Sequence, residues 1–155
     1  MTFQESVKSV LTENYFNLQG RASRSEYWWF ILAYIIGGVV AALLGWIVQL
    51  IYSLALLAPL VSVGFRRLQD TGRPGWYYLI PTAYSFVTML FTPGGVEFDA
   101  NGVPIEMPSA GAVAFSGLLG LIGLVLFVVF IWWLTRPSQP ETNAYGPPPA
   151  EARSV

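Results

Sequence analysis

Seven ionisable side chains fall into two short phrases. Arg21, Arg24 and Glu26 lie in GRASRSEYWWF at residues 20–30, and Arg66, Arg67, Asp70 and Arg73 lie in RRLQDTGRPGW at residues 66–76. The planar guanidinium grips phosphate through two parallel N–H bonds, so arginines gathered from two phrases predict a cluster for an anionic headgroup or a phosphorylated ligand. The same residues have a plainer use, in which arginines at helix ends snorkel to lipid phosphate while Asp70 and Glu26 pair with guanidiniums and cap helices. Both are binding roles, not bond-breaking ones. The chain has no histidine and no cysteine, which removes the usual zinc and copper sites, thiolate catalysis, disulfides and haem attachment. No nucleophile, metal site or cofactor loop can be nominated, so the expectation is a non-enzyme with no cofactor and no metal.

The elements that position these residues are set by where charge is absent. Residues 27–65, 76–96 and 107–135 hold no Asp, Glu, Lys or Arg, and all eight basic residues lie outside them. Such blocks lack the polar outward face of a soluble helix and predict membrane spans. One helix over 27–65 would be roughly 58 Å long, nearly twice a bilayer core of about 30 Å, so that block must be two spans. The reversal is expected around Gly45, Trp46 and Gln49. Four spans follow, at about 27–44, 50–65, 76–91 and 112–134, with an outer loop at 92–111.

Four crossings put all eight Lys and Arg on one side, together with six of the nine acids, and leave Glu97, Asp99 and Glu106 on the other. Because loops rich in Lys and Arg stay in the cytosol, both termini are expected there. A three-span reading would put Arg66, Arg67 and Arg73 opposite Arg21 and Arg24, against that rule. Trp28, Trp29, Trp76, Trp132 and Trp133 then mark the cytoplasmic span ends and Trp46 the far hairpin, as expected of indole in the headgroup layer.

Residues 1–26 read as a cytoplasmic amphipathic segment, with Phe3, Val7, Val10 and Leu11 near helical spacing, packing over the inner mouth of the bundle. No cleavable signal peptide is expected, so the first span stays as an anchor. Ser23 followed by Glu26 fits a capping box at the head of span one. Asp70, Thr71 and Gly72 form a turn, and Pro74 with Gly75 restarts the chain. Asn101 and Gly102 suit a type I′ turn in a small outer hairpin. Residues 135–155, rich in proline and poor in apolar residues, read as a disordered cytoplasmic tail.

Within the spans, polar groups are limited to Gln49, hydroxyls and tyrosines, which argues against a proton relay or ion pathway. Small residues recur at packing intervals, Gly37, Ala41 and Gly45 in span one and Ser116 and Gly120 in span four, which favours close helix approach inside the chain or between copies.

The two phrases, with NAYGPPP at residues 143–149, resemble the bacterial inner-membrane family known as domain of unknown function 805. The resemblance implies a small multi-span protein of the bacterial cytoplasmic membrane and no established reaction. The family pattern commonly has histidine where this chain has Gln69, and many relatives run from the third hydrophobic stretch almost directly into the NxYG phrase.

The fold expected is therefore an all-α membrane protein, a small bundle of four transmembrane helices with an N-terminal amphipathic segment and a disordered C-terminal tail. Its expected role is a non-enzymatic interaction or scaffold protein. The alternatives are an anionic-lipid-binding protein that uses the arginine cluster, or a small transporter. Expected partners are membrane lipids and a second copy or another membrane protein, not nucleic acid.

Overall fold

A computed structural model describes residues 1–91, 101 and 108–153. The hairpin predicted around Asn101 and Gly102 lies outside the described residues. Among the described residues the fold is all helical, with α1 (Phe3–Lys8), a π-helical turn (Ser9–Glu13), α2 (Arg24–Leu43), α3 (Trp46–Asp70), a 3-10 turn (Gly75–Leu79), α4 (Ile80–Phe91), α5 (Ala110–Thr135) and a short 3-10 turn (Ala150–Arg153). Three of these, α2, α3 and α5, are long and apolar enough to cross a bilayer. The chain divides into two bodies, Met1–Tyr78 with Trp132–Val155, and Leu79–Ile131.

In the first body α2 and α3 form an antiparallel hairpin. The reversal falls at Gly45, whose φ of 112° is open to glycine and strained for other residues. Below it the helices meet closely, because a Cβ on Gly37 would lie 2.6 Å from the Tyr52 hydroxyl. That hydroxyl donates to the Tyr34 carbonyl at 2.6 Å, and the two tyrosine rings stack. The small-residue spacing of span one thus serves packing within the chain. Most other large side chains of the hairpin face outward, with Leu43 83% and Trp46 76% exposed, as expected of a surface made for lipid.

α3 carries Pro59 in its interior, which removes the N–H that would bond the Ala55 carbonyl. The Tyr15 hydroxyl donates to that carbonyl instead. The Ser62 hydroxyl, one turn on, lies 2.6 Å from the carbonyl oxygens of both Asn14 and Asn17 and shares its one proton between them. The N-terminal segment is thereby tied along α3, while Ser6 and Val10 are buried against the hairpin. The segment begins with a capping box of Thr2 and Glu5.

α3 does not stop at residue 65. It runs through Arg66, Arg67, Leu68 and Gln69 to Asp70 and ends in a Schellman motif, with Gly72 N–H on the Gln69 carbonyl and Arg73 N–H on the Leu68 carbonyl, each at 3.0 Å. Gly72, at φ 79°, supplies the left-handed residue this ending requires. Charge continues the helix beyond the apolar stretch because every ionised group in its last turn finds a partner there.

The span predicted at 76–91 is divided. Residues from Gly75 to Leu79 wind as a 3-10 turn and α4 starts afresh at Ile80. Pro81 accounts for the restart, since a residue without an N–H suits a helix's first turn. At 12 residues, α4 rises about 18 Å, short of a bilayer core. The second body pairs α4 with most of α5: the Tyr84 hydroxyl donates to the Leu119 carbonyl, and its ring lies 3.0 Å from where a Cβ on Gly123 would sit.

A buried guanidinium network and an amphiphilic cavity

Asp70 is the centre of the polar end of the first body. Its side chain and that of Arg67 are fully buried, and that of Arg21 is 1% exposed. One carboxylate oxygen accepts from Arg21 Nε at 2.9 Å; the other accepts from Arg67 Nη1 at 2.5 Å and from the Ser138 hydroxyl. Burial of a carboxylate at a helix C-terminus is unfavourable in both solvation and dipole terms, and two guanidiniums offset it.

Those guanidiniums use their remaining N–H groups on backbone. Arg67 Nε donates to the Leu134 carbonyl at 2.9 Å and Nη2 to that of Arg136, at the end of α5. Arg21 reaches the carbonyls of Gln139 and Glu141, the latter at 2.7 Å. Asn143 closes the latch by donating to the Gln69 carbonyl at 2.9 Å while its side-chain oxygen caps the Tyr145 N–H. The disordered tail expected for 135–155 is therefore corrected over its described length: residues from Arg136 to Gly146 are laid across the end of α3. The physical reason is that irregular backbone has free carbonyls, and buried arginines supply the donors these need. A Cβ on Gly72 would fall 2.3 Å from Gln139, which shows how closely the segment sits.

A second pair lies beside the first. Arg66 Nη2 meets Glu26 at 2.9 Å, both side chains nearly buried, and Ser9 donates to the same carboxylate oxygen at 3.0 Å. Ser23 does cap α2, accepting from the Glu26 N–H at 3.1 Å. The predicted capping box is only half formed, because the Glu26 carboxylate turns to Arg66 rather than back to the Ser23 N–H. Two buried polar atoms here, Arg66 Nε and Gln69 Oε1, have no hydrogen-bond partner among the described residues.

The predicted seven-residue cluster thus separates by role. Arg21, Arg66, Arg67, Glu26 and Asp70 do come together from the two phrases, with the Ala22 N–H on the Arg66 carbonyl at 3.1 Å as a backbone tie, but they are engaged with one another and with the tail. Arg73 lies 5.2 Å over the Trp133 ring, and burial, with the nearby charge of Arg136, holds its guanidinium below the usual range. Arg24 is exposed and has no acidic partner among the described residues. Sequence reasoning missed Ser138, Gln139, Glu141 and Ser9 of the π-helical turn; only the NAYG phrase signalled that the tail had a structural task.

Arg24 opens on a cavity of about 1040 Å³ in the same body, walled by the first turns of α2 and by the tail from Thr135 to Pro140, with Glu151 at its rim.

The family whose pattern matches residues 15–147 is described as a protein of unknown function, DUF805. The chain belongs to the DUF805 family. That match begins at the residue bridging to Ala55 and ends just past Gly146, so it encloses the whole guanidinium network. Among DUF805-like relatives, the inner membrane protein YhaH of Escherichia coli K12 is 37% identical over 108 residues, covering 57% of this chain and 89% of YhaH. The inner membrane protein YhaI of the same organism is 38% identical over 79 residues, covering 46% of this chain and 66% of YhaI. No solved structure matches the chain. Membership in this family, with three span-length apolar helices, makes the chain a transmembrane protein of an inner-membrane family.

Proposed function

We propose that the protein is a non-enzymatic membrane platform that offers an ordered, latched polar face to ligands at the cytoplasmic surface of the inner membrane. The observation that carries this reading is the Asp70 centre, where Arg21 and Arg67 are fully engaged in holding residues 134–141. Catalysis needs charged groups aimed at a reacting atom, whereas these are aimed at backbone and at each other. The apolar spans, with no ionisable group inside them, fit anchoring better than transport. Four crossings with both termini in the cytosol agree with the placement of all eight basic residues outside the charge-free stretches.

Orientation is tested by single cysteines, since the chain has none of its own. An impermeant maleimide on intact spheroplasts should label Asn101→Cys and leave Arg73→Cys unlabelled until the cells are opened. The reverse pattern overturns the orientation and with it the cytosolic platform. The platform itself is tested by purification in native lipid. A stoichiometric partner held by the wild-type chain and released by Asp70→Asn supports it, and identical recovery from both chains removes it.

A further inference from the structure

Resting on the platform reading, we propose that the cavity beside α2 is a binding site for one anionic phospholipid, with Arg24 holding the phosphate. Arg24, Trp28 and Leu32 recur four residues apart on α2, with Trp29 beside them, and all four line the cavity. At about 1.5 Å per residue they extend roughly 12 Å along one helix face, from the first turn towards the apolar middle. The stripe is graded lengthwise: cation at the top, indoles next, an aliphatic side chain at the bottom. Phospholipid has the same order of groups, phosphate, then glycerol esters, then acyl chain, and tryptophan is suited to the ester layer. A water-soluble phosphate would leave the lower wall without a partner; Trp29 and Leu32 are 41% and 42% exposed.

Charge favours the anion. Arg24 has no acidic partner among the described residues, the two guanidiniums sharing Asp70 leave a further positive charge behind it, and the cavity is lined by the first turn of the 20-residue helix α2, the positive end of its dipole. The one acid at the rim, Glu151, pairs with the Met1 ammonium and accepts from Ser25, so it does not neutralise Arg24. At about 1040 Å³ the volume sits at the top of the range for small-ligand sites, roughly 300–1,000 Å³, enough for headgroup, glycerol and the start of a chain. The opposite wall is tail, and Ser138, which lines it, is the residue that bonds Asp70. The latch therefore also shapes the site.

The test uses the full chain in nanodiscs of equal phosphatidylglycerol and phosphatidylcholine, released for native mass spectrometry. Retained phosphatidylglycerol should exceed phosphatidylcholine by about tenfold, as a desolvated charge-assisted contact implies, and Arg24→Gln should reduce the ratio to about twofold or less. Arg24→Lys should keep most of it, Leu32→Trp should lower retention of both lipids by filling the cavity, and Arg73→Gln should change nothing. Equal retention of the two lipids by the wild type means annular lipid only and overturns the proposal, as does a ratio unmoved by Arg24→Gln. Displacement of the lipid by excess glycerol phosphate assigns the site to a soluble phosphate and overturns it too. A glutamate-specific protease at Glu141, whose carbonyl Arg21 holds, separates the two readings: protection there without lipid preference removes the lipid site alone, whereas rapid cleavage in the native protein removes the latched platform on which it rests.

Discussion

The Tyr15 hydroxyl donates to the Ala55 carbonyl, the acceptor that Pro59 leaves without its helical N–H. A proline in a span is tolerated when another group restores the lost bond, and here the donor comes from a segment 40 residues upstream. Tyr15→Phe is therefore expected to cost about 1 kcal/mol. In a Pro59→Ala background the helix supplies its own N–H, so the same change should cost about half as much or less. Denaturation in mixed micelles measures all four corners of the cycle. Equal costs in both backgrounds would show that the tyrosine stabilises by packing and not by that bond.

Asp70 carries the tail, so neutralising it leaves two buried guanidiniums without their shared counter-ion. Asp70→Asn should destabilise the fold by about 3–5 kcal/mol, the usual cost of breaking a buried pair from one side. Arg24→Gln, an exposed position with no acidic partner among the described residues, should stay within about 0.5 kcal/mol. Thermal melts of the detergent-solubilised proteins report both, and faster cutting after Glu141 by a glutamate-specific protease in Asp70→Asn would attribute the loss to tail release. A melt of Asp70→Asn within a degree or two of wild type would mean the network is ornamental.

Much of this arrangement was legible in the residues. Charge-free stretches located α2, α3 and α5, Gly45 and Gly72 located two reversals, and the two arginine phrases do meet. What could not be read locally was competition between partners. Ser23 and Glu26 satisfy a capping box by spacing, yet Arg66, distant in sequence, takes the carboxylate. The proline-rich segment after Arg136 looks unfoldable by composition, because a low apolar content says nothing about backbone carbonyls that guanidiniums from residues 21 and 67 can satisfy. A single span is expected over 76–91 from its lack of charge, whereas Pro81 suits a helix start and the stretch divides into a 3-10 turn and a new helix.

Glycines that look alike in sequence differ in what surrounds them. A Cβ on Gly64 would fall 2.2 Å from the Tyr78 ring, whereas Gly117 and Gly120 have nothing within 4 Å. Gly64→Ala should cost about 1–3 kcal/mol through overpacking. Gly117→Ala and Gly120→Ala should be neutral or stabilising by up to about 1 kcal/mol, as expected for a helix interior. The measurement is again denaturation in micelles, run at two protein concentrations. If Gly120→Ala instead weakened the protein in a concentration-dependent way, that face of α5 would have to meet a second copy.

Acid should loosen the N-terminal segment first. The Glu5 carboxylate accepts from the Thr2 N–H at 2.7 Å, and the Glu5 N–H donates to the Thr2 hydroxyl at 3.3 Å. The backbone bond, then the Thr2 side chain, hold its carboxyl below the ordinary 4.5. A carboxyl with a lowered folded value stabilises the capped helix above its unfolded value, and that contribution fades as pH falls through the folded one. A carbon-detected NMR titration in micelles should therefore find the Glu5 midpoint under 4.5. Thr2→Pro, which removes both the N–H and the hydroxyl, should return it to the ordinary value. An unshifted midpoint in the wild type would mean that the box at the start of α1 is not held in solution, and the Tyr15 anchor would then secure the segment without help from its first turn.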